Sequence, residues 1–557
     1  MSLSLWLLPA FLIFPDGFAL RECTFPCGGV VSNGPHCAKA GRDLLAQGGS
    51  AVDAAIGTLL CEGIAVPHCM GVGGGFLMTI YDRRTKTVQT LNAREAAPGA
   101  ATVNMFGGSA ELASKGGLSV AVPGEIRGYW AAHQRYGKLP WAELFKPAIK
   151  FAKYGYEVTP FLARVFESEE QQLQNDEGLR EIFINPKNNK PYTVGEFVRN
   201  EKLARTLEII AEQGESALYD GILTKEFVGD IKKFGGIITE ADMRSYRPLW
   251  GAPLTASLPN QHTLYSVAPP GSGAILIFIL NILNGFLDMD KVDTVHNWHR
   301  IIEAFKFAYG RRTELGDPKF VPSVESLVRN ITSKESAALI RSQISDDLTY
   351  EDATHYGAKV QQVNVYGTAN MCILAPNGDA VAVTSTINQN FGAGRVSPST
   401  GIILNDEMDD FSAPDVTNFY GMPPCVSNFI SPGKRPVSSM CPSIVLDKRG
   451  EVALVVGSAG GTKITLTNAL AVLRTMFFKE SIPKALAAKR LLHQLFPMHV
   501  MAEPGFSEDI LEGLAKLGHH IKPTIPDGFS AVTAIGKRNG IVKGSFDPRR
   551  GGQVALI

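Results

Sequence analysis

Between Gly367 and Gly392 the chain reads GTANMCILAPNGDAVAVTSTINQNFG, a stretch with four hydroxyl side chains, Thr368, Thr384, Ser385 and Thr386, and with Asn388 close behind them. A threonine hydroxyl is a weak nucleophile until a base takes its proton, and no histidine lies in this stretch. Breaking the Gly367–Thr368 bond supplies that base. Thr368 then carries a free α-amino group, whose reference pKa is ~7.7–8.0. The same hydroxyl can make the cut by attacking the preceding carbonyl and passing through an ester. Gly367 has no side chain to obstruct that attack. Thr368 is therefore a candidate nucleophile, and Gly367–Thr368 a candidate cleavage site.

Four other stretches carry groups able to do chemistry, each beside a plainer reading. The acidic run NDEMDDF (405–411) fits a calcium or magnesium loop, a solvated turn, or a site for an ammonium group. It lacks EF-hand spacing and has no companion carboxylate cluster. In GSAGGTKIT (457–465), Gly460 and Gly461 stand at the expected end of a strand, where backbone N–H groups can face an oxyanion or simply form a turn. KRPVSSMCPS (434–443) pairs Ser438 with Ser439, for which an ordinary capping turn is the alternative. Arg94 in NAREAAP can grip a carboxylate as a fork or pair with Glu95. The glycine run 71–75 fails as a phosphate loop, because a strand follows it and no Gly-Lys-Ser/Thr occurs. HExxH and GxSxG are absent as well.

The elements that must position these residues are legible from pattern. Residues 41–66 predict two helices, with Gly48-Gly49 ending the first and Ser50 capping the second. Residues 71–95 predict a strand, a polar turn at Asp82 to Lys86, and a second strand. Helices are expected over 123–137 and 295–312, and a core helix over the apolar run 274–287. TANMCILA and AVAVTSTI flank Pro376-Asn377-Gly378, which predicts a hairpin, and 442–461 repeats the pattern about Lys448-Arg449-Gly450. Strands grouped apart from helices favour stacked sheets covered by helices over a doubly wound parallel sheet.

Bulk composition sets the class. Lys plus Arg and Asp plus Glu are 54 each, so formal charge is zero, and no basic stripe offers a surface for nucleic acid. The N-terminus holds a largely apolar run of twelve residues from Leu3 to Phe14, interrupted by Pro9, too short for a membrane span and suited to a signal-peptide core with removal near Ala19; an uncleaved anchor is the alternative. Eight cysteines without a CxxC pair fit export and disulfides better than structural zinc. Asn330-Ile331-Thr332 is the one N-glycosylation acceptor.

Ordered along the chain, the motifs GRDLLAQGGSAVDAAI, GVGGGFLMTIYD, NAREAAP, VPGEIRGY, EAFKFAYGRR, TSTIN, NDEMDDFSAP, PGKRPVSSMCPSIV, GSAGGTKIT and DPRRGG resemble those of the γ-glutamyltransferases (γ-glutamyl transpeptidases), enzymes of the N-terminal-nucleophile hydrolase type. The resemblance implies a four-layer αββα sandwich. It also implies autocleavage into a large subunit (20–367, after a signal segment 1–19) and a small subunit (368–557) that stay together as a heterodimer in one domain. Thr368 would be nucleophile and cleavage residue, with Thr386 supporting it and Gly460 and Gly461 forming the oxyanion hole. Arg94, Ser438 and Ser439 would hold the α-carboxylate of a γ-glutamyl donor, and Asn388, Glu407 and Asp410 its α-ammonium. Cys37 and Cys61 stand where animal members carry a disulfide. No metal or organic cofactor is implied; the expected partners are glutathione and related γ-glutamyl compounds, amino acids and dipeptides. Two positions depart from the family pattern: Asn370 stands where a histidine is usual, and Asn390 where an aromatic residue is common. These departures motivate the alternative of a catalytically weak secreted binding or effector protein. An acylase of the same type with another amide substrate is a third reading.

Overall fold

In the computed structural model of the chain, residues 22–359, 367–414, 424–524 and 530–557 are described. The expected signal segment lies outside them. Two seven-stranded antiparallel sheets stack face to face. One runs in the order 553–556, 29–32, 369–374, 380–386, 75–82, 87–93 and 249–251; the other in the order 22–24, 541–546, 531–538, 452–459, 443–446, 262–266 and 254–258.

Local sequence accounts for the elements around the site. The helix Cys37–Ala46 ends at Gly48, whose φ of 87° suits glycine. The helix Ala51–Ala65 starts with a capping box, in which Ser50 Oγ accepts from the Asp53 N–H and the Asp53 carboxylate accepts from the Ser50 N–H. The expected hairpin forms from Ala369–Leu374 and Ala380–Thr386, with Gly378 at φ 90° in its turn. Both strands are buried on two faces, which explains their nearly continuous apolar sequence.

Alternate side chains from this hairpin enter two cores. Cys372, Leu374, Ala380 and Ala382 meet Ile444, Val455, Ile535 and Val542 between the sheets. Met371, Ile373, Val381 and Val383 face outward against the helices Cys37–Ala46, Ala51–Ala65, Glu125–Tyr136 and Trp141–Tyr154. The helices Gly273–Leu283, Val295–Arg312 and Ile464–Val472 cover the other sheet. Four layers result, in the order helix, sheet, sheet, helix. Among the described residues, no helix is long and apolar enough to cross a membrane.

Cys37 and Cys61 are joined, and Cys23–Cys27 forms a second disulfide; Cys69, Cys372, Cys425 and Cys441 are buried thiols. Ser438 makes a local turn bond, its Oγ accepting from the Met440 N–H, while Ser439 turns to a distant partner, Arg312. No helix follows these serines; the strand Ser443–Leu446 does.

Candidate active site

Thr368 opens the strand Ala369–Leu374, buried between the sheets, with φ at 86°. That region is hostile to a β-branched residue and costs on the order of 1–3 kcal/mol. Gly367 before it has φ 129°, and a Cβ there would fall 1.9 Å from the Asn388 carbonyl oxygen. Only glycine fits this approach. Thr368 Oγ1 donates to Thr386 Oγ1 at 3.3 Å, and the Asn388 N–H donates to the same oxygen at 2.8 Å. Thr386 therefore fixes the Thr368 hydroxyl from the end of the paired strand.

The Gly367 carbonyl, which any cut before Thr368 must attack, accepts from the Gly460 N–H at 3.1 Å. Gly460 follows the strand Val452–Ala459 with φ 130°, and Gly461 begins the turn Gly461–Lys463. This hydrogen bond places the Gly460 N–H where it can donate to an oxygen that gains charge on Gly367.

The anionic and cationic groups lie together. Arg94 is fully buried, and its guanidinium pairs with the Glu407 and Asp410 carboxylates while Nε donates to the Pro436 carbonyl at 3.2 Å. Glu95, the alternative partner, stands farther off at 3.7 Å. Burial opposes the Arg94 charge, but Glu407, Asp410 and Glu95 outweigh it and hold the guanidinium charged. Burial pushes Glu407 well above the carboxylate range against the pull of Arg94, and Glu95 up to about 7. The solvated-turn reading of 405–411 is thereby corrected: Glu407 is fully buried and the turn faces a guanidinium. Among the described residues Glu407 Oε2 and Asp410 Oδ1 accept no hydrogen bond, although both are buried.

Asn388 sends its Nδ2 to the Asp406 carbonyl at 3.0 Å. Ser438 Oγ accepts from the Met440 N–H at 3.2 Å, and Ser439 Oγ accepts from Arg312 Nη2 at 2.7 Å. Arg312, at the end of the helix Val295–Arg312, is a buried second guanidinium that motif reading did not single out. Its signal was the paired arginine closing EAFKFAYGRR. A second unassigned residue, Arg550, donates from Nη1 to the Thr368 carbonyl at 2.6 Å.

At the departing position, the Asn370 amide is locked between the sheets. Its Oδ1 accepts from Thr384 Oγ1 at 2.6 Å and its Nδ2 donates to Thr533 Oγ1 at 2.7 Å. Asn390 binds Glu169 at 3.0 Å. Among the described residues, no group of three or more His, Cys, Asp or Glu side chains is arranged to hold a metal.

Comparison with known proteins fits this geometry. Scoloptoxin SSD14 of Scolopendra dehaani is 45% identical over 530 residues, 94% of this chain and 91% of the relative. Glutathione hydrolase 2 of Arabidopsis thaliana is 38% identical over 544 residues, 94% of this chain and 93% of the relative. The solved cephalosporin acylase from Bacillus halodurans aligns with a TM-score of 0.85 at 26% identity, covering 99% of both chains. The profile of the Gamma-glutamyltranspeptidase family matches residues 37–557, and with relatives of this identity over most of its length the chain is an enzyme belonging to that family.

Proposed function

We propose that the protein cuts its own Gly367–Thr368 bond and then transfers γ-glutamyl groups from glutathione and related compounds to water, amino acids or dipeptides. The observation that carries this reading is the Gly367 carbonyl held by the Gly460 N–H beside a hydroxyl fixed by Thr386. In maturation, Thr368 Oγ1 bonds to the Gly367 carbonyl carbon and the C–N bond breaks. The Thr368 nitrogen takes up the Oγ1 proton and becomes a free amine, and water hydrolyses the resulting ester to the Gly367 carboxylate and the restored Thr368 hydroxyl. Departure of Gly367 also frees the strained backbone at Thr368.

In turnover, the α-amino group of Thr368 takes the hydroxyl proton as Oγ1 attacks the donor γ-carbonyl. It returns that proton to the leaving amine, which for glutathione is cysteinylglycine. The γ-glutamyl ester on Thr368 then passes to water or to an amine acceptor, with Gly460 and Gly461 facing each oxyanion.

The donor ends in a zwitterion, which is neutral overall and able to insert into an ion pair. Its carboxylate takes Arg94, with Ser438 and Ser439 as hydroxyl partners. Its ammonium takes Glu407, Asp410 and Asn388. The burial of Glu407 and Asp410 together against Arg94 supports this assignment, because it gathers the acidic groups and the guanidinium at one place. We assign export to residues 1–19 and a glycan to Asn330, which is exposed on the helix Ser323–Ile331.

A denaturing gel with N-terminal sequencing and a γ-glutamyl anilide assay tests the reading. Two chains are expected, the smaller beginning Thr-Ala-Asn-Met. They separate without reductant, because both disulfides lie before Gly367. A single chain, or any other start residue, overturns it. The toxin name of one relative, together with Asn370, favours a second reading as a secreted effector. A cleaved protein that lacks activity on every γ-glutamyl donor would select it.

A further inference from the structure

An amine serves as base only while uncharged, and a free α-amine of reference pKa ~7.7–8.0 is mostly protonated at neutral pH. Something beside Thr368 has to disfavour that proton. Arg550 follows the strand Ile541–Phe546 in the segment DPRRGG and reaches the nucleophile from the far end of the chain. Its Nη1 donates to the Thr368 carbonyl at 2.6 Å. Its Nη2 donates to Cys69 Sγ at 2.8 Å and stands 3.1 Å from His68 Nε2. The guanidinium also lies over the Phe161 ring, 5.2 Å from its centroid.

Arginine has donors only, so His68 Nε2 is the acceptor and the imidazole is neutral, with its proton on Nδ1. Burial, and then Arg550, hold His68 well below its ordinary range. Among the described residues no carboxylate comes within ion-pair distance of Arg550. The acid that feels its field is Glu62 on the helix Ala51–Ala65; burial raises Glu62 to about 7, while the Gly34 N–H and Arg550 pull it back.

The other elements around Thr368 bring little charge. Thr386, Asn388, Asn33 and Asn370 carry none. Burial pushes the Cys69 thiol up to about 11, and burial pulls down the amine of Lys463, in the turn after Gly460. Arg550 is the fixed cation on the nucleophile's own backbone.

We propose that Arg550 is a positioning residue whose guanidinium, anchored on the Thr368 carbonyl, keeps the α-amino group of cleaved Thr368 unprotonated at neutral pH. This rests on the reading of Thr368 as nucleophile with its own amine as base. The sign follows from like charges: a cation nearby disfavours the ammonium form and lowers the amine pKa. It also favours handing the captured proton on to the leaving amine.

The test is the pH profile of kcat/KM on a γ-glutamyl anilide, with cleavage followed on a denaturing gel. Arg550→Met is expected to move the acid limb up by about one pH unit or more, and Arg550→Lys to leave it near the parent's. Glu62→Gln keeps an acceptor for Gly34 but removes a partly charged acid, so its acid limb is expected to move down. An unmoved limb in cleaved Arg550→Met, with only the plateau lowered, overturns the proposal and leaves Arg550 structural. Should Arg550→Met stay uncleaved, Glu62→Gln decides: a downward shift supports the proposal, and no shift or an upward one overturns it. Failure of the underlying reading shows separately, as an uncleaved or inactive parent.

Discussion

Thr368 and Arg94 are each held by partners far away in sequence, and their substitutions separate maturation from donor binding. Thr368→Ala removes the attacking oxygen and is expected to remain one chain on a denaturing gel. Arg94→Lys replaces a fork bonded to Glu407 and Asp410 by a point charge. Asp410→Ala strips one anion from the cluster but leaves Glu407 on Arg94. A charge-assisted hydrogen bond is worth roughly 1.5–3 kcal/mol, so each change is expected to cost about ten- to a hundredfold in kcat/KM through KM. Cleavage should persist in both, because maturation involves no bound donor. Parent-like kcat/KM in both would falsify the clamp assignment. The types of these residues were legible in NAREAAP and NDEMDDF. Their pairing was not, because 313 and 316 residues separate Arg94 from Glu407 and Asp410. Arg550 escaped for the same reason, 182 positions from Thr368.

The hairpin and the turn facing it meet where the chain has no room for a side chain. Gly367→Ala places a methyl group 1.9 Å from the Asn388 carbonyl oxygen at a φ of 129°. The backbone must shift there, and the Gly367 carbonyl then leaves the Gly460 N–H. Cleavage is expected to slow by tenfold or more while the circular dichroism spectrum stays that of the parent; a pulse-chase of precursor conversion measures it. Unchanged conversion would remove Gly460 from the maturation step. The elements themselves were readable wherever a signal was local: Ser50 with Asp53, Gly378 in its turn, the strand after the glycine run. Strand order was not readable. Residues 29–32 and 553–556 pair antiparallel, from opposite ends of the chain, and no local pattern announces that register.

Across the whole molecule, the segments before Gly367 and after Thr368 also meet at a pair of histidines. His299 Nε2 donates to the Ser345 carbonyl at 2.7 Å, so its Nδ1 is the acceptor for His519 Nε2 at 2.8 Å. Burial, followed by His299, Lys306 and His520, depresses His519 to about 3, and burial depresses His493 well below its usual range. The folded state thus binds fewer protons than the unfolded one between pH ~6.5 and the depressed values, and stability falls as pH drops through that window. Each such group contributes a slope of ~1.4 kcal/mol per pH unit. Urea midpoints between pH 7.5 and 5 are expected to decline, and His519→Gln, which still donates to His299, should flatten the decline. An unchanged slope in that variant would assign the acid sensitivity elsewhere.

The interleaved strand order has a consequence for the life of the mature protein. Each sheet is built from strands on both sides of Gly367: in one, 29–32 lies between 553–556 and 369–374; in the other, four strands from after Thr368 are flanked by 22–24 and by 262–266 and 254–258. The continuous precursor folds as a single molecule, so its folding rate does not depend on dilution. Once cut, two chains must find each other before either sheet can form, and recovery from denaturation becomes a second-order process. The proposed cleavage would then act as a ratchet, the cut protein persisting by the height of its unfolding barrier and not by its ability to refold. Refolding yield after denaturant dilution is expected to rise with protein concentration for the cleaved parent and to stay flat for Thr368→Ala, up to the onset of aggregation. What one peptide bond gives the active site in chemistry, it takes from the chain in reversibility.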